Sequence, residues 1–368
     1  MGLKIIIAAG GSGGHIFPAI ALGRAIRAKD NDADILYIGS DKSLDKRIFE
    51  KEGVNFFVLS ANKLPYRPSV ALIPFFAKLF SDVWRSLVIL SAQKPDVVVG
   101  FGGYISFPVL LAARLKGIRS VIHEQNVVPG RANSVLFRFA DRIVLSFEET
   151  RPYLGRNAAK AAFIGNPIRT ERFKDDRSWG IRRFGLDINK FTVLVIGGSQ
   201  GSHALNRTFI DSLFSLHPSV RRSLQVIHIT GVKDYEWAIS AYSETGIDYR
   251  VHSFVDRIEE AYSASDLVVT RSGASAIFEL AFLGKPMILI PYPFAMSHQT
   301  ENALVFSRKG AAVHIDEKDL SAESFARAIE GLFNDRKALK NLGQAARQLA
   351  IPGASELMAQ EVFKVKKI

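Results

Sequence analysis

A histidine ends the first glycine-rich turn of this sequence. An apolar run at residues 3–8 leads into a glycine-rich turn at residues 10–14, and His15 follows directly. Glycines allow backbone amides to close on a phosphate, and the N-terminus of a following helix adds about half a positive charge. An imidazole can also move a proton near neutral pH. The pattern predicts an anion site beside a general base, and the alternative is a histidine cation that holds the phosphate.

A second glycine-rich turn, at residues 100–104, also follows an apolar run and precedes a helical pattern. Two such turns at one edge of a sheet can hold a diphosphate through backbone amides and helix dipoles. We therefore predict a diphosphate site at Gly13, Gly14, Gly102, Gly103 and Tyr104.

Four polar side chains, at residues 123–126, follow the next apolar run. Their position at the end of a strand favours the rim of a ligand site, and the alternative is a polar turn that caps the next helix. Within this group, His123 and Glu124 are the reserve candidates for the general base.

Residues 271–279 place small side chains after another apolar run, at the start of a predicted helix. Small residues there leave backbone amides open to a phosphate. Glu279 stands in an apolar segment, where a carboxylate usually has a partner. It is the candidate acceptor for both hydroxyls of a ribose, and an ordinary solvated helix face is the alternative.

Asp30 and Asp32 form a D-x-D motif of a kind that can bind a metal ion. The motif joins the end of a helix to the start of a strand, which puts it at the sheet edge opposite the glycine turns. We interpret it as a surface turn. Neither a metal nor a cofactor is predicted.

Short apolar runs alternate with helical patterns along the chain, as is typical of parallel sheets covered on both faces. Predicted helices include residues 19–29 and 108–116. Predicted strands are residues 3–8, 35–38, 55–59, 96–99, 120–123 and 142–145, then 192–196, 225–229, 249–254, 267–270, 287–290 and 312–315. The predicted fold class is α/β, with two Rossmann-like, doubly wound parallel-sheet domains that face each other across a cleft.

The opening pattern repeats in the second half, with a strand at residues 192–196 and a glycine turn at residues 197–202. A polar stretch at residues 171–190 separates the two halves and indicates a connection between domains. A final helix, after Pro352 and Gly353, is placed to cross back to the first domain. We predict one domain from residues 1–168 and 352–368, and a second from residues 169–351.

The chain has 368 residues, too many for one comfortable core, and no cysteine, which excludes disulfides and zinc–thiolate sites. We expect no signal peptide, because the first apolar run is short, and no membrane span, because Pro74 and charged side chains interrupt residues 70–92. The net charge is +12, and residues 1–168 carry +9 of it. This excess predicts an acidic partner for the first half.

Residues 70–92 hold more apolar surface than one buried helix face needs, with basic side chains among them. Such a helix can lie on an anionic bilayer, where apolar contact and charge add together. A helix buried on two sides is the alternative. The predicted membrane face consists of Leu72, Ile73, Phe75, Phe76, Leu79, Phe80, Trp84, Lys78 and Arg85.

The motifs occur in the order found in the MurG family of GT-B glycosyltransferases, which complete lipid II in bacterial cell-wall synthesis. The resemblance covers nearly the whole chain and is carried by residues 10–18, 102–104, 123–126, 165–169, 197–201 and 271–279. It implies an inverting hexosyltransferase that moves N-acetylglucosamine from UDP-N-acetylglucosamine to the C4 hydroxyl of the muramyl sugar of lipid I.

The same resemblance implies where such a protein works and with what. Its implied partners are UDP-N-acetylglucosamine, lipid I and an anionic membrane surface, with no nucleic acid and no required cofactor. The implied location is peripheral, on the cytoplasmic face of the bacterial inner membrane. The implied processes are peptidoglycan synthesis, cell shape and cell division.

Donor contacts are also implied by the resemblance, motif by motif. Arg169 and Ser199 are similar to groups that meet the donor diphosphate, and Val255 to a position whose backbone binds uracil. Relatives usually have an acidic residue before the His-Gln pair at residues 298–299, and this chain has none. The implied donor contacts are Ser12, Gly13, Gly14, Asn126, Arg169, Ser199, Val255, Ala274, Ser275, Ala276, Ile277, Phe278, Glu279 and Gln299.

Three alternatives stay open at this point. A transferase that acts on another lipid, such as diacylglycerol, would have a similar donor half. A UDP-sugar epimerase would share the two-domain shape, but it has no need for the apolar and basic residues 70–92. A UDP-sugar-binding subunit without activity would form no product by itself.

Overall fold

The computed structural model of the chain describes residues 2–60, 72–174, 176–198, 201–293 and 297–366, with the backbone alone at Leu72 and Ile73. It divides into two units. The first unit comprises Met1–Arg169 and Ile351–Ile368, and the second comprises Thr170–Ala350. Arg169 and Ile351 therefore both lie in the first unit.

As far as the structure describes it, the sheet of the first unit has seven parallel strands in the order β3-β2-β1-β4-β5-β6-β7. Val and Ile predominate in its central strands, as expected for a parallel sheet that is buried on both faces. Ile6 of the first strand pairs with Leu36 on one side and Val98 on the other. The strands are β1 (Lys4–Ala8), β2 (Asp34–Ser40), β3 (Phe56–Leu59), β4 (Val97–Gly100), β5 (Arg119–Glu124), β6 (Arg142–Leu145) and β7 (Ala161–Phe163).

Helices connect these strands and cover the sheet on both faces. Ile20 and Ile26 belong to the core on one face, whereas Ile105 and Val109 belong to the core on the other. A 3₁₀ segment, Glu148–Lys160, lies between β6 and β7. The helices are α1 (Gly13–Lys29), α2 (Ser43–Lys51), α3 (Leu72–Gln93), α4 (Gly103–Leu115) and α5 (Arg131–Leu136).

Helices α1 and α4 begin earlier than the sequence pattern predicted. They start at Gly13 and Gly103, so Pro18 and Pro108 lie inside the helices and not at their starts. Glycine has low helix propensity, so a pattern-based prediction leaves it in the turn. Because the helices begin at these glycines, the positive ends of both helix dipoles lie at the glycine turns.

The six strands predicted for the first half are all present, and β7 was not predicted. This strand has only three residues, none of them fully buried. A run that short lacks the apolar periodicity on which a sequence-based prediction depends.

Within the described part of the second unit, six parallel strands take the order β10-β9-β8-β11-β12-β13. All six predicted strands are present, although the strand predicted at residues 249–254 ends at His252. The strands are β8 (Phe191–Ile196), β9 (Leu224–Ile229), β10 (Asp248–His252), β11 (Leu267–Thr270), β12 (Met287–Leu289) and β13 (Val313–His314). The predicted fold class, two doubly wound parallel sheets, is confirmed.

Helices surround the second sheet in the same way. Its core contains Val193 and Val269 of the sheet and Phe209 and Phe325 of the helices. Short 3₁₀ segments lie at Thr170–Arg172 and Glu317–Asp319. The helices are α6 (Arg177–Phe184), α7 (His203–Ser215), α8 (Pro218–Ser223), α9 (Tyr235–Ser243), α10 (Ile258–Ala264), α11 (Ala274–Leu283), α12 (His298–Arg308), α13 (Ala322–Asn334) and α14 (Arg336–Leu349).

The last helix, α15 (Ala354–Lys366), belongs to the first unit. Met358 and Val362 are fully buried in the core that α1 lines. Glu361 on the same helix accepts a hydrogen bond from Arg142 at the start of β6. The C-terminal segment is therefore an integral part of the first unit.

The D-x-D motif is a surface turn, as predicted. Asp30 ends α1, and its carboxylate accepts hydrogen bonds from the backbone amides of Leu3 (2.9 Å) and Asp32 (3.2 Å). Since β2 begins at Asp34, the turn lies at the amino edge of the sheet. In the described ranges, no helix is long and apolar enough to cross a membrane.

Candidate active site

Three loops of the first unit meet at the carboxyl ends of β1, β4 and β5. These strands follow one another in the sheet, so the loops are neighbours. Gly11 has φ +89°, and a Cβ at this position would lie 2.9 Å from the ring of Tyr104. Gly103 has φ +70°, and a Cβ there would lie 3.5 Å from Nε2 of His15. Glycine at both positions lets the two turns close on each other.

A buried carboxylate orders the first glycine turn. Oδ2 of Asp45, on α2, accepts hydrogen bonds from the Gly11 amide (2.7 Å) and from both the amide (3.0 Å) and the hydroxyl (2.6 Å) of Ser40. Asp45 lies 34 residues from Gly11 in the chain, and no local pattern connects them. Asp45 is therefore a site residue that only the structure reveals.

The N-terminus of α1 carries the predicted anion-binding glycines. Ser12 is the N-cap residue, without a capping hydrogen bond from its side chain, and no acidic residue occupies the first turn. The positive end of this helix dipole is thus not offset by a carboxylate of the helix itself. Gly13 and Gly14 lie where an anion would be stabilised.

His15 is held by Gln125, which belongs to the predicted polar rim at residues 123–126 but was given no role of its own. Its Nδ1 lies 2.9 Å from Oε1 of Gln125, and Nε2 of Gln125 donates to the Phe101 carbonyl at 2.8 Å. Burial lowers the pKa of His15, and opposing contributions from Glu124, Gln125, the Phe101 carbonyl and Asp45 are smaller. The imidazole is therefore neutral at pH 7, as a general base must be.

Glu124 is buried, and hydrogen bonds occupy both of its carboxylate oxygens. Oε1 accepts from the amide (2.9 Å) and the side chain (3.3 Å) of Asn126. Oε2 accepts from the Gly130 amide (3.0 Å) and the Asn133 side chain (2.7 Å). Glu124, the reserve candidate for the base, therefore holds Asn126 in place through two hydrogen bonds.

His123 lies deeper in the unit than His15. Its Nε2 is 2.9 Å from the hydroxyl of Ser146, which also lies 3.2 Å from Oδ1 of Asn166. Burial, assisted by His15, lowers the pKa of His123 to about 3. The neutral ring ties the ends of β5 and β6 to residues 165–169, and it packs edge-on against Phe101 of the glycine turn at residues 100–104, with 5.2 Å between ring centroids.

Arg169 is buried in the first unit. Its guanidinium lies 2.8 Å from Glu52 and stacks on the ring of Phe17, 4.0 Å from the centroid. Glu52 also pairs with Arg24 at 2.6 Å. The charge of Arg169 is thus shared with Glu52, and its contact with the donor diphosphate stays a prediction.

Arg271 organises the ligand edge of the second unit. It donates to the hydroxyl of Ser202 (2.6 Å) and to the carbonyls of Ile290 and Pro291 (3.2 and 3.1 Å), and it pairs with Glu317. These contacts join the glycine turn at residues 197–202 to the ends of β11, β12 and β13. Arg271 was part of the predicted motif but not of the predicted site. Ser199, a predicted diphosphate contact in this turn, lies outside the described residues.

Glu279, on α11, is buried and has the partner that the sequence predicted. The hydroxyl of Tyr262 donates to its Oε2 at 3.3 Å. An ionised carboxylate offers two acceptor oxygens, as the binding of two ribose hydroxyls requires, and the ribose contact itself stays a prediction.

The other predicted donor contacts lie around α11 and α12. Ala274, Ser275 and Ala276 form the first turn of α11, after the N-cap Gly273. The side chains of Ile277 and Phe278 are buried in the unit, and the Ile277 amide donates to the Gly273 carbonyl at 3.2 Å, so their contact with the donor stays a prediction. Val255 lies in the loop between β10 and α10.

Gln299 is oriented by its neighbours in the same unit. Its Oε1 accepts from the Tyr292 amide at 2.9 Å, and its backbone carbonyl accepts from the Ser272 hydroxyl at 2.7 Å. The side-chain NH₂ group therefore points away from Tyr292, as a donor that a sugar hydroxyl can accept from. The sugar contact itself stays a prediction.

Helix α3 exposes a row of large apolar side chains. Phe76, Phe80, Trp84 and Val88 recur at every fourth position and are between 54% and 73% exposed. Val88 was not in the predicted face, whereas Phe75 and Leu79, which were, are half-buried. The side chains of Leu72 and Ile73, also in the predicted face, are not among those that the structure describes.

The charged side chains of α3 recur at positions i, i+4 and i+7 and therefore share one side of the helix. Lys78 and Arg85 are exposed, whereas Asp82 is buried and accepts a hydrogen bond from the Ser60 amide at 3.2 Å. Burial raises the pKa of Asp82. Helix α3 therefore exposes an apolar row and, on the side that carries Asp82, two basic side chains.

The described residues contain no group of three or more His, Cys, Asp or Glu side chains placed to hold a metal ion. The positive elements at the two ligand edges are helix N-termini and arginines. The metal-free site stays a prediction.

Two family models match the chain. The N-terminal domain of glycosyltransferase family 28 matches residues 5–145, and the C-terminal domain of the same family matches residues 192–358. The first match lies within the first unit, whereas the second covers most of the second unit and ends in α15 of the first.

Curated relatives match over nearly the whole length. A protein of Halothermothrix orenii is 38% identical over 360 residues, covering 96% of each chain, and one of Geobacter sulfurreducens is 38% identical over 361 residues, covering 98% of each. Both are named UDP-N-acetylglucosamine–N-acetylmuramyl-(pentapeptide) pyrophosphoryl-undecaprenol N-acetylglucosamine transferase.

Solved structures share the fold. The crystal structure of Acinetobacter baumannii MurG superposes with a TM-score of 0.76 at 25% identity, covering 98% of this chain and 99% of that one. A UDP-N-acetylglucosamine 2-epimerase superposes with a TM-score of 0.70 at 14% identity, covering 99% and 96%. The second similarity shows the fold alone.

Proposed function

We propose that this chain, which belongs to glycosyltransferase family 28, transfers N-acetylglucosamine from UDP-N-acetylglucosamine to the C4 hydroxyl of the muramyl sugar of lipid I. The product is lipid II, the precursor for peptidoglycan synthesis and, through it, for cell shape and division. The observation that carries the proposal is the 38% identity to curated transferases of this name over 96% of the chain. The site residues described above supply the chemistry.

The first unit binds the acceptor and removes its proton. The N-termini of α1 and α4 carry the glycines that hold the lipid diphosphate, with Tyr104 beside them. Nε2 of His15 takes the proton of the C4 hydroxyl as that oxygen forms its bond to the anomeric carbon. The bond from that carbon to UDP breaks on the opposite face, so the configuration inverts and UDP leaves with the electron pair. A general base of this kind is worth about 10²–10⁴ in rate.

The second unit binds the donor. Strands β8 and β11 are paired, so the N-termini of α7 and α11 lie beside each other at the carboxyl edge. Their dipoles stabilise the charge that develops on the leaving diphosphate without any reorganisation. Glu279 accepts the ribose hydroxyls, and the backbone at Val255 binds uracil.

The exposed side of α3 brings the first unit to its lipid substrate. The apolar row enters the interface of an anionic membrane, while Lys78 and Arg85 meet the lipid head groups. The chain acts from the cytoplasmic face as a peripheral protein. What supports this part of the proposal is the joint exposure of large apolar and basic side chains on one helix.

The test is a transfer assay with purified protein, labelled UDP-N-acetylglucosamine and a lipid I analogue, with diacylglycerol as the competing acceptor. We expect labelled lipid II from lipid I and no product from diacylglycerol. Product from diacylglycerol would indicate the other lipid transferase. Free N-acetylmannosamine or its UDP form would indicate an epimerase, and no product of any kind would indicate a binding subunit.

The His15→Ala variant tests the assignment of the base. We expect kcat to fall by about 10²–10⁴ while UDP binding changes little, because the imidazole acts on the acceptor hydroxyl. Equal losses in kcat and in UDP binding would overturn this assignment.

A further inference from the structure

We propose that Gln125 is a positioning residue that holds the neutral imidazole of His15 in its Nδ1–H form. In this form the lone pair of Nε2 is presented to the acceptor hydroxyl. The inference deepens the proposed function, because it assumes that His15 is the base. Its first measurement, however, needs no turnover.

The direction of the hydrogen bonds follows from the Phe101 carbonyl. A carbonyl oxygen can only accept, so the group of Gln125 that lies 2.8 Å from it must be the NH₂. The other end of the amide, Oε1, is therefore the atom 2.9 Å from Nδ1 of His15. Since Oε1 can only accept as well, Nδ1 must carry the proton.

Gln125 cannot easily reverse this arrangement. Its side chain is buried at the carboxyl end of β5. A flipped amide would put oxygen against the Phe101 carbonyl and would leave two buried acceptors unsatisfied. The packing of the loop therefore specifies the tautomer.

The other ring nitrogen lies at the predicted diphosphate turn. A Cβ on Gly103 would be 3.5 Å from Nε2, which shows how closely the ring lies to the second glycine turn. A neutral histidine has one accepting nitrogen, and here that nitrogen lies at the loop where the acceptor is expected.

The charges around His15 support a neutral ring. Glu124 on β5 and Asp45 on α2 raise the pKa of His15, but burial outweighs them and lowers it overall. His123, the other ionisable neighbour on β5, is itself neutral at pH 7 because burial lowers its pKa to about 3. A neutral imidazole needs a tautomer to be selected, and an imidazolium does not.

The experiment uses the full-length protein labelled with ¹⁵N-histidine, and His15 is assigned by difference from His15→Gln. At pH 7.5 we expect a protonated Nδ1 and an unprotonated Nε2. In Gln125→Leu, which has a similar volume but no acceptor, we expect the Nδ1–H signature to be lost. We further expect kcat to fall by at least about tenfold, with the donor KM changed by less than about threefold.

Gln125→Glu is the variant that separates the two hydrogen bonds of Gln125. Its carboxylate still accepts from Nδ1–H but loses the donor to the Phe101 carbonyl, so we expect the tautomer to be retained and part of the kcat loss of Gln125→Leu to be recovered. The added negative charge also raises the pKa of His15, so the acidic limb of the kcat profile should move to higher pH. Gln344→Leu, an exposed substitution on α14, is the matched control and should leave kcat unchanged.

The inference is overturned if wild-type His15 is Nε2–H or doubly protonated at pH 7.5. It is also overturned if Gln125→Leu keeps kcat within about threefold of wild type. Thermal melting and UDP binding of each variant exclude a folding defect as the cause of a loss. If the tautomer is as stated but no product forms from lipid I, the proposed function fails and the positioning by Gln125 stands.

Discussion

Oε1 of Glu124 accepts hydrogen bonds from both the backbone amide and the side-chain amide of Asn126, at 2.9 and 3.3 Å. In Glu124→Gln, one acceptor oxygen becomes a donor that faces Asn126 or Asn133. We expect the donor KM to rise by about tenfold and the free energy of unfolding to fall by about 1–3 kcal/mol. Transfer kinetics and urea unfolding measure both. A loss of kcat by 10²–10⁴ with an unchanged donor KM would instead make Glu124 the base.

The pair of Arg169 and Glu52 distinguishes a structural role from a role in catalysis. Arg169→Ala removes the buried cation that pairs with Glu52 at 2.8 Å, so we expect the free energy of unfolding to fall by about 3 kcal/mol. The double variant with Glu52→Gln removes the stranded charge and should recover much of this loss. Arg24→Ala, at an exposed partner, should cost less than about 1 kcal/mol.

The same double variant tests the diphosphate contact of Arg169. If Arg169 meets the donor diphosphate, kcat stays reduced by about 10²–10³ even where stability has recovered. If its role is structural, kcat recovers together with stability. Steady-state kinetics at saturating donor separate the two.

Glu279 and Tyr262 allow a matched test of ribose binding. Glu279→Gln keeps an acceptor for the Tyr262 hydroxyl but removes the charged, two-oxygen acceptor for the ribose. We expect the donor KM to rise by at least about tenfold, since hydrogen bonds to a charged group are worth about 1.5–3 kcal/mol. Tyr262→Phe, which removes only the tyrosine hydroxyl, should change it by less than about threefold. Equal effects in both variants would return Glu279 to a structural role.

The exposed row on α3 predicts a specific membrane response. We expect the paired substitution Phe80→Gln and Trp84→Gln to weaken binding to phosphatidylglycerol-containing vesicles by more than about tenfold, because each buried aromatic is worth about 1.5–3 kcal/mol. The paired substitution Lys78→Gln and Arg85→Gln should make binding less dependent on salt, because each basic side chain contributes about 1 kcal/mol of attraction to an anionic membrane. Vesicle sedimentation measures both.

Phe214→Gln is the control for that experiment, because Phe214 is 50% exposed in the second unit. It should leave vesicle binding unchanged. Binding that is insensitive to salt, or equal loss in the control, would contradict a membrane face on α3.

Stability should depend on pH through two buried histidines. Burial lowers the pKa of His123 and of His228 to about 3, whereas the unfolded chain titrates near 6.5. Between these values the unfolded state binds protons that the folded state does not, so stability falls as the pH drops below 6.5. The loss is about 2 kcal/mol per histidine at pH 5.

Urea unfolding of His228→Gln at pH 7, 6 and 5 measures this effect. In this variant, the slope of the free energy of unfolding against pH should be smaller by up to about 1.4 kcal/mol per pH unit. Tyr242→Phe, which removes the hydroxyl 2.8 Å from His228 but keeps the imidazole, should lower stability while retaining the slope. An unchanged slope in His228→Gln would show that other groups cause the pH dependence.

Local sequence was sufficient for the strands and the glycine turns. The twelve predicted strands are present because short Val- and Ile-rich runs between helical patterns are specific to buried parallel strands. The starts of α1 and α4 were missed, because glycine propensity gives no indication that a turn continues into a helix. Strand β7 was missed because three residues carry too little periodicity.

Local sequence patterns could not predict hydrogen bonds between residues that are far apart in the chain. The hydrogen bond from Gly11 to Asp45 joins residues 34 positions apart, and that between His15 and Gln125 joins residues 110 apart. Arg169 belongs to a recognisable motif, but its buried partner Glu52 lies 117 residues away, so the sequence did not indicate that its charge is paired.

The sequence by itself determined the fold class, the family and the chemical types at the site, because each depends on local periodicity, glycine placement and the order of motifs. Tertiary structure alone decided how those groups are used. It made Glu124 an organiser of Asn126, placed the charge of Arg169 beside Glu52, and let Gln125 orient His15. The physical reason is that the protonation state and the direction of a hydrogen bond depend on burial and on partners, which the folded chain brings together from distant positions.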